Sequence, residues 1–177
     1  GVDSSVAAVK LKNEGYDVTG VTLRLYNQPN SSKSKSCCAG IDIQDAKKVA
    51  EQYDFPHKVF DYQDKFFNGV INNFVDSYAN GETPVPCIQC NQTVKFSDLL
   101  EESKNLNADT LVTGHYAIRK GGLKKSKLFK AKDKTKDQSY FLFATLQHQL
   151  DYVRFPLGNY LKSEIREMAN DYNLLVS

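Results

Sequence analysis

Cys87 and Cys90 stand in the stretch Thr83-Pro84-Val85-Pro86-Cys87-Ile88-Gln89-Cys90-Asn91, and of all the side chains in this sequence they are the best suited to covalent chemistry. A thiolate is a strong nucleophile at neutral pH, where a hydroxyl is not. Pro84 and Pro86 each disfavour helical backbone in the residue before them, which predicts a stiff, extended loop that presents both cysteines. Asn91 or Thr93 can then cap a helix running through Val94, Phe96, Leu99 and Leu100. A thiol just before a helix start lies near backbone N–H groups and a positive dipole end, which favours the thiolate. The same spacing also fits half of a zinc knuckle, with Cys37 and Cys38 as the other half, but adjacent cysteines chelate one tetrahedral ion poorly. A redox pair would follow a strand directly, and prolines occupy that place. The pair is therefore read as reactive, no metal site is assigned, and Cys37 and Cys38 are placed in a loop without a required role.

A second group of residues could handle phosphate. Gly1-Val2-Asp3-Ser4-Ser5 opens a helix, and a Gly/Ser turn at a helix start offers N–H groups and hydroxyls to an anion. The plainer alternative is an ordinary cap by Asp3 or Ser4. A third group could handle a polyanion. Nine basic residues lie between Arg119 and Lys136 (Arg119, Lys120, Lys124, Lys125, Lys127, Lys130, Lys132, Lys134, Lys136) with one acid, Asp133. That segment carries +8 in a chain whose net charge is +2, so the remainder carries −6. Concentrated charge of this kind suits phosphates, and it also suits a solvated lysine-rich hairpin.

These groups need a scaffold. The 177 residues are enough for one domain with its own core, and 41% hydrophobic with 25% charged is ordinary for a globular protein. No apolar run approaches the roughly 20 residues of a membrane span, and no signal-peptide pattern is present. Four cysteines are too few for a disulfide scaffold and predict a reduced, cytoplasmic protein with no membrane partner. The chain has no initiator Met and is expected to be missing its true start.

Hydrophobic periodicity predicts a helix over 3–14, stopped by Gly15, and a strand from Val18 to Leu25. A polar loop follows over 27–40, then a helix from near Asp42 that ends before Pro56, then a strand from His57 to Asp61. Phe66, Phe67, Val70, Ile71, Phe74, Val75 and Tyr78 predict an amphipathic helix closed by Gly81, its aromatic stripe facing the core. Asp109 to Thr113 reads as a buried strand ending at Gly114-His115, and the basic segment around Gly121-Gly122 as a β-hairpin over 116–132. Helices near 138–147 and 162–174 complete the chain, the latter opening a further helical segment over 162–177. His57 and His148 are read as structural or solvent-facing. The alternation predicts an α/β fold, a doubly wound parallel sheet with helices on both faces. Ligands bind at the carboxyl ends of such strands, where Gly1–Ser5, Leu25 and Gly114-His115 would converge.

Taken together, the residues resemble a known family. Gly1-Val2-Asp3-Ser4-Ser5 is similar to the tail of the pyrophosphate loop of the PP-loop ATP pyrophosphatases. Thr83-Pro84-x-Pro86, Cys90-Asn91, Lys95-Phe96, Thr113-Gly114-His115-Tyr116, Lys136-Asp137-Gln138-Ser139-Tyr140-Phe141-Leu142 and Phe155-Pro156-Leu157-Gly158 resemble, in order, the tRNA-specific 2-thiouridylase branch. The resemblance implies an adenine-nucleotide-binding PP-loop domain and a sulfurtransferase. It implies that ATP activates the C2 oxygen of the wobble uridine (position 34) of tRNA, that a cysteine persulfide supplies sulfur, and that AMP and pyrophosphate leave.

Carried over position by position, the resemblance puts ATP on Gly1, Val2, Asp3, Ser4, Leu23 and Gly114. Val85, Pro86 and Cys87 lie against the target base, and His115, Lys136, Asp137 and Gln138 contact tRNA. Cys90 is the catalytic cysteine that releases sulfur from the persulfide and can form a disulfide with a second cysteine. Mg²⁺ follows from ATP chemistry, with no ligand set visible, and a persulfide-donor protein is an implied partner. Two departures stand out. The second, persulfide-bearing cysteine is expected beyond Ser177, and Cys87 replaces an aspartate found in some members. A PP-loop enzyme adenylating a small molecule and a non-catalytic RNA-binding or zinc module are the rivals. A small substrate needs neither the lysine-rich segment nor the cysteine stretch.

Overall fold

The structure is a computed structural model that describes residues 1–25, 40–122 and 124–174. Cys37 and Cys38 lie outside the described residues. Helix α1 (Val2–Asn13) starts with Gly1 as its N-cap and ends at Glu14, after which Gly15 takes φ +88°, a conformation open to glycine. Strand β1 (Gly20–Arg24), helix α2 (Gly40–Gln52) and strand β2 (His57–Asp61) follow. β1 and β2 pair in parallel from Gly20 opposite His57 to Arg24 opposite Asp61, as two strands joined through a crossover helix must. Two further strands, β3 (Leu111–Val112) and β6 (Val153–Arg154), also pair in parallel. The α/β architecture with parallel strands is thus as expected, although the described ladders are two-stranded. The basic segment forms the antiparallel hairpin β4 (Ala117–Lys120) and β5 (Lys127–Lys130).

Three apolar clusters hold these pieces. Val6 and Val9 of α1 pack with Val49 of α2, with Leu157, and with Ile165 of α8 (Lys162–Asp171). Phe96, Leu100, Leu111, Leu142, Val153 and Phe155 form a second cluster around β3 and β6. Leu23 of β1 and Leu25, just after it, form the third with Tyr62, Val70, Cys90 and Val94. Gly158 meets β4 so closely that a Cβ there would overlap the Ala117 carbonyl, so the Phe155–Gly158 turn can reach the hairpin only with glycine.

Four expectations need correction. The cysteine stretch is helical and is no loop: α5 (Pro86–Cys90) continues through a π-helical stretch, Asn91–Asp98, into α6 (Leu99–Asn105). Pro86 sits in its first turn, where a missing N–H costs nothing, and Val85 is the N-cap. Asn91 and Thr93 therefore cap nothing; the Thr93 hydroxyl donates back to the Gln89 carbonyl at 2.9 Å. The aromatic stripe is largely outside the core. α3 (Gln63–Phe66), a π-helical stretch (Phe67–Ile71) and α4 (Asn72–Ala79) make one helix, but only Val70 is buried, while Val75 and Tyr78 are 55% and 70% exposed. The wider π turn adds about one residue to the repeat, which rotates Phe74 and Tyr78 off the face that Phe66 and Val70 define. The helix near 138–147 is a 3₁₀ turn (Ser139–Leu142) followed by α7 (Gln147–Tyr152). The sequence reading also missed β6.

Candidate active site

The N-terminus of α1 is the anion-binding candidate. No side chain caps it, so neither Asp3 nor Ser4 plays the plain capping role. Asp3 turns aside to accept a hydrogen bond from the Tyr116 hydroxyl at 2.9 Å and to meet Lys162 Nζ at 2.5 Å. Lys162 also lies 5.5 Å from the Tyr116 ring centre. Burial, with the neighbouring Asp3 carboxylate, raises the Tyr116 hydroxyl above its ordinary range, so it stays a donor. The Ser4 hydroxyl reaches the Gly1 carbonyl at 3.1 Å. Gly114, at the end of the segment that follows β3, lies against this turn: an added Cβ would stand 3.0 Å from Ser4 N, 3.1 Å from the Asp3 carbonyl carbon and 3.2 Å from Asp3 Cβ. Gly1–Ser4 and Gly114 are therefore brought together. An uncapped helix start approached by bare backbone fits a pyrophosphate group, with Lys162 as a nearby cation. Sequence reasoning missed Lys162, which is separated from Asp3 by 159 positions and carries no local pattern.

Leu23 takes a different place. It is buried on β1 and belongs to the same apolar cluster as Cys90 and Val94, so the strand carrying Leu23 and the cysteine helix share one core. Cys87 is exposed on the first turn of that helix and Cys90, nearly a turn later, is buried. Asn91 is 3% exposed; its amide donates to the Phe141 carbonyl at 3.0 Å, and its Oδ1 has no hydrogen-bond partner among the described residues. A shallow cavity of about 260 Å³ lies beside Val85 and Pro86, lined also by Val70, Phe74 and Gln89.

The residues assigned to RNA divide. His115 is half-buried: its ring packs 6.0 Å from Phe96 and 6.1 Å from Phe155, and its Nδ1 pairs with the Thr113 hydroxyl at 2.8 Å. Burial, with a smaller contribution from Lys95, pushes its pKa down to about 3, so it is neutral in physiological conditions. Gln138 clasps Tyr116 twice: its Oε1 accepts from Tyr116 N at 2.9 Å, and its N–H donates to Tyr116 O at 2.8 Å. Asp137 Oδ1 accepts from Ala131 N at 2.7 Å, and its Oδ2 from the Ser139 hydroxyl at 2.7 Å. Burial works to raise the Asp137 carboxyl, but these hydrogen bonds outweigh it and hold the group below the usual range. Asp137 and Gln138 thus brace the turn, and Lys136 beside them is exposed.

Two of the nine basic residues are also spent. Arg119 donates to the carbonyls of Leu150, Gly121, Gly122 and Asp151, tying the hairpin tip to α7. Lys132 pairs with Glu164 at 3.2 Å. The other seven, Lys120, Lys124, Lys125, Lys127, Lys130, Lys134 and Lys136, are all exposed. His57 pairs with Thr22 at 2.8 Å and His148 is exposed. Among the described residues, no three His, Cys, Asp or Glu side chains group to hold a metal, and no helix is long and apolar enough to cross a membrane.

Parallel strand pairs, with the open start of α1 lying against the segment that follows β3, define a Rossmann-like α/β domain. The fold is shared with the structure of NMN synthetase from Francisella tularensis, at TM-score 0.53 and 17% identity, over 98% of this chain and 58% of that one. The particular family follows from sequence: the model described as tRNA methyl transferase HUP domain matches residues 1–177, and the chain belongs to that family. Relatives named tRNA-specific 2-thiouridylase MnmA are 56% identical in Orientia tsutsugamushi, 54% in Wolbachia pipientis subsp. Culex pipiens and 55% in Dinoroseobacter shibae. Each match covers all of this chain and 47–48% of the relative, so the chain spans about half the length of the curated relatives it matches.

Proposed function

We propose that this chain is the nucleotide-binding, cysteine-bearing part of an enzyme that replaces the C2 oxygen of the tRNA wobble uridine with sulfur. The observation that carries the reading is that Cys90 and Leu23 belong to one buried cluster, because this puts the cysteine helix and the strand assigned to adenine in a single core. ATP, with Mg²⁺ as its ordinary counter-ion, supplies an adenylyl group that makes a poor leaving oxygen a good one. Backbone N–H groups of Val2, Asp3 and Ser4 hold the pyrophosphate, with Gly114 letting its own segment lie close against that turn and Lys162 offering positive charge. Val85, Pro86 and Cys87 lie against the uracil, whose removal from its stack is easiest in a single-stranded anticodon loop. The terminal sulfur of a persulfide attacks C2, and the oxygen departs on AMP. The Cys90 thiolate then attacks the inner persulfide sulfur. The sulfur–sulfur bond breaks, its electron pair stays on the 2-thiouridine, and a disulfide between Cys90 and the donor cysteine remains for a thiol reductant to open. A sulfur-donor protein loads the persulfide, and the enzyme works in the cytoplasm.

The test is incubation of the full-length gene product with ATP, Mg²⁺, a persulfide donor and tRNA, followed by nucleoside mass spectrometry. AMP and 2-thiouridine, both dependent on tRNA, are expected. AMP formed with a small acceptor while tRNA stays inert would leave the nucleotide site standing and overturn the tRNA assignment.

A further inference from the structure

The 3₁₀ turn Ser139–Leu142 bridges the two halves of the proposed site. On one side its Phe141 carbonyl accepts from Asn91, the residue after Cys90, at 3.0 Å. On the other it packs against β5 of the lysine-rich hairpin. Phe141 is only partly exposed and Leu142 is buried, as anchors should be. Tyr140 and Phe143 behave differently: they are 61% and 69% exposed, with ring centres 6.5 Å apart and planes 37° apart. Two large rings held side by side in water lose the burial that normally retains aromatics. Lysines stand on the neighbouring segments. Lys136 is exposed a few residues before them, and on β5 the exposed Phe129 carries Lys120 Nζ 5.3 Å from its ring centre.

Exposed rings beside a turn that packs on a lysine-bearing strand offer what single-stranded nucleic acid recognition needs: cations meet the backbone, and rings stack on unpaired bases. We propose that Tyr140 and Phe143 are a stacking platform for the unpaired bases flanking the target uridine, while the hairpin lysines hold the phosphates of the same RNA loop. The inference rests on the RNA reading given above and adds two positioning residues to it. The bridge from Asn91 to β5 places the platform between phosphate contact and cysteine. A stacked neighbour there fixes which base of the loop faces Cys90.

The experiment uses the full-length gene product and an anticodon stem–loop with the fluorescent base 2-aminopurine beside the wobble position. Tyr140→Ala and Phe143→Ala are each expected to weaken binding about fivefold or more and to lose the quenching that stacking produces. Neither is expected to change the salt dependence of binding. Tyr140→Phe and Phe143→Tyr keep both signals, since a ring remains. A Lys124→Glu/Lys125→Glu variant does the reverse, lowering the salt slope while keeping the quenching at saturating protein. Wild-type binding with unchanged affinity and quenching in both alanine variants overturns the platform alone. No wild-type binding to the stem–loop overturns the RNA reading itself, and the platform with it.

Discussion

Gly114→Ala is the most informative single substitution at the nucleotide site. Gly114 does not use a left-handed backbone, so alanine brings no conformational penalty and its whole effect is steric. Its Cβ would stand 3.0, 3.1 and 3.2 Å from Ser4 N, the Asp3 carbonyl carbon and Asp3 Cβ, where ordinary contact begins at 3.4 Å. The first turn of α1 must then retreat by about 0.2–0.4 Å, the difference between those values. Two of the three contacts are backbone atoms that cannot rotate away. Forced overpacking of this kind costs about 1–3 kcal/mol. The displaced atoms are the ones assigned to pyrophosphate, so most of the cost should fall on ATP binding, a loss of about 5- to 150-fold. Each kcal/mol that falls on the fold instead lowers the melting temperature by about 2–4 °C. Calorimetric titration with ATP, alongside a thermal melt, reads both. Gly122→Ala is the control, since nothing lies within 4 Å of its Cβ position. Unchanged ATP affinity and unchanged melting in Gly114→Ala would refute the proposed convergence of α1 and Gly114 on the nucleotide.

Cys90→Ala is expected to abolish 2-thiouridine formation, read by nucleoside mass spectrometry, while ATP affinity stays within about twofold because the thiol lies outside the pyrophosphate turn. Iodoacetamide on the native protein should label Cys87 well before Cys90, following their exposure, and denaturant should equalise them; peptide mass spectrometry keeps the two thiols distinct. His115 titrates near 3 in the folded chain and near 6.5 when unfolded, so the unfolded chain holds the extra proton between those values. Stability from this residue is full above about 6.5 and falls as the pH drops toward about 3. Urea titrations across that range should show a shallower slope in His115→Gln, which can still pair with Thr113 but does not titrate.

The helices and strands with plain punctuation were legible in the sequence. β2 runs from His57 to Asp61 as read, Gly15 closes α1, and Gly121-Gly122 turns the hairpin. The cysteine stretch misled because two prolines suggest extended chain, whereas Pro86 at the first helical position starts a helix. The aromatic stripe misled because periodicity assumes 3.6 residues per turn throughout, and the π-helical stretch over Phe67–Ile71 breaks that count. Strand β6 is two residues long and gives no alternation to detect. At the site, residue types and motifs were visible, but the division of labour was not. Arg119 among the lysines, and Asp137 and Gln138 after Lys136, are polar residues that each hold main-chain groups brought close by the fold. Lys162 and Asp3 meet only through the packing of α8 on α1.

The central claim is that the C2 oxygen of uridine leaves on AMP. An anticodon stem–loop synthesised with oxygen-18 at that atom of the wobble uridine tests it directly, with the full-length gene product, ATP and a persulfide donor. The account predicts that the AMP released carries the heavy oxygen in proportion to the 2-thiouridine formed. Formation of 2-thiouridine with unlabelled AMP, the heavy oxygen appearing in water or pyrophosphate, would contradict it.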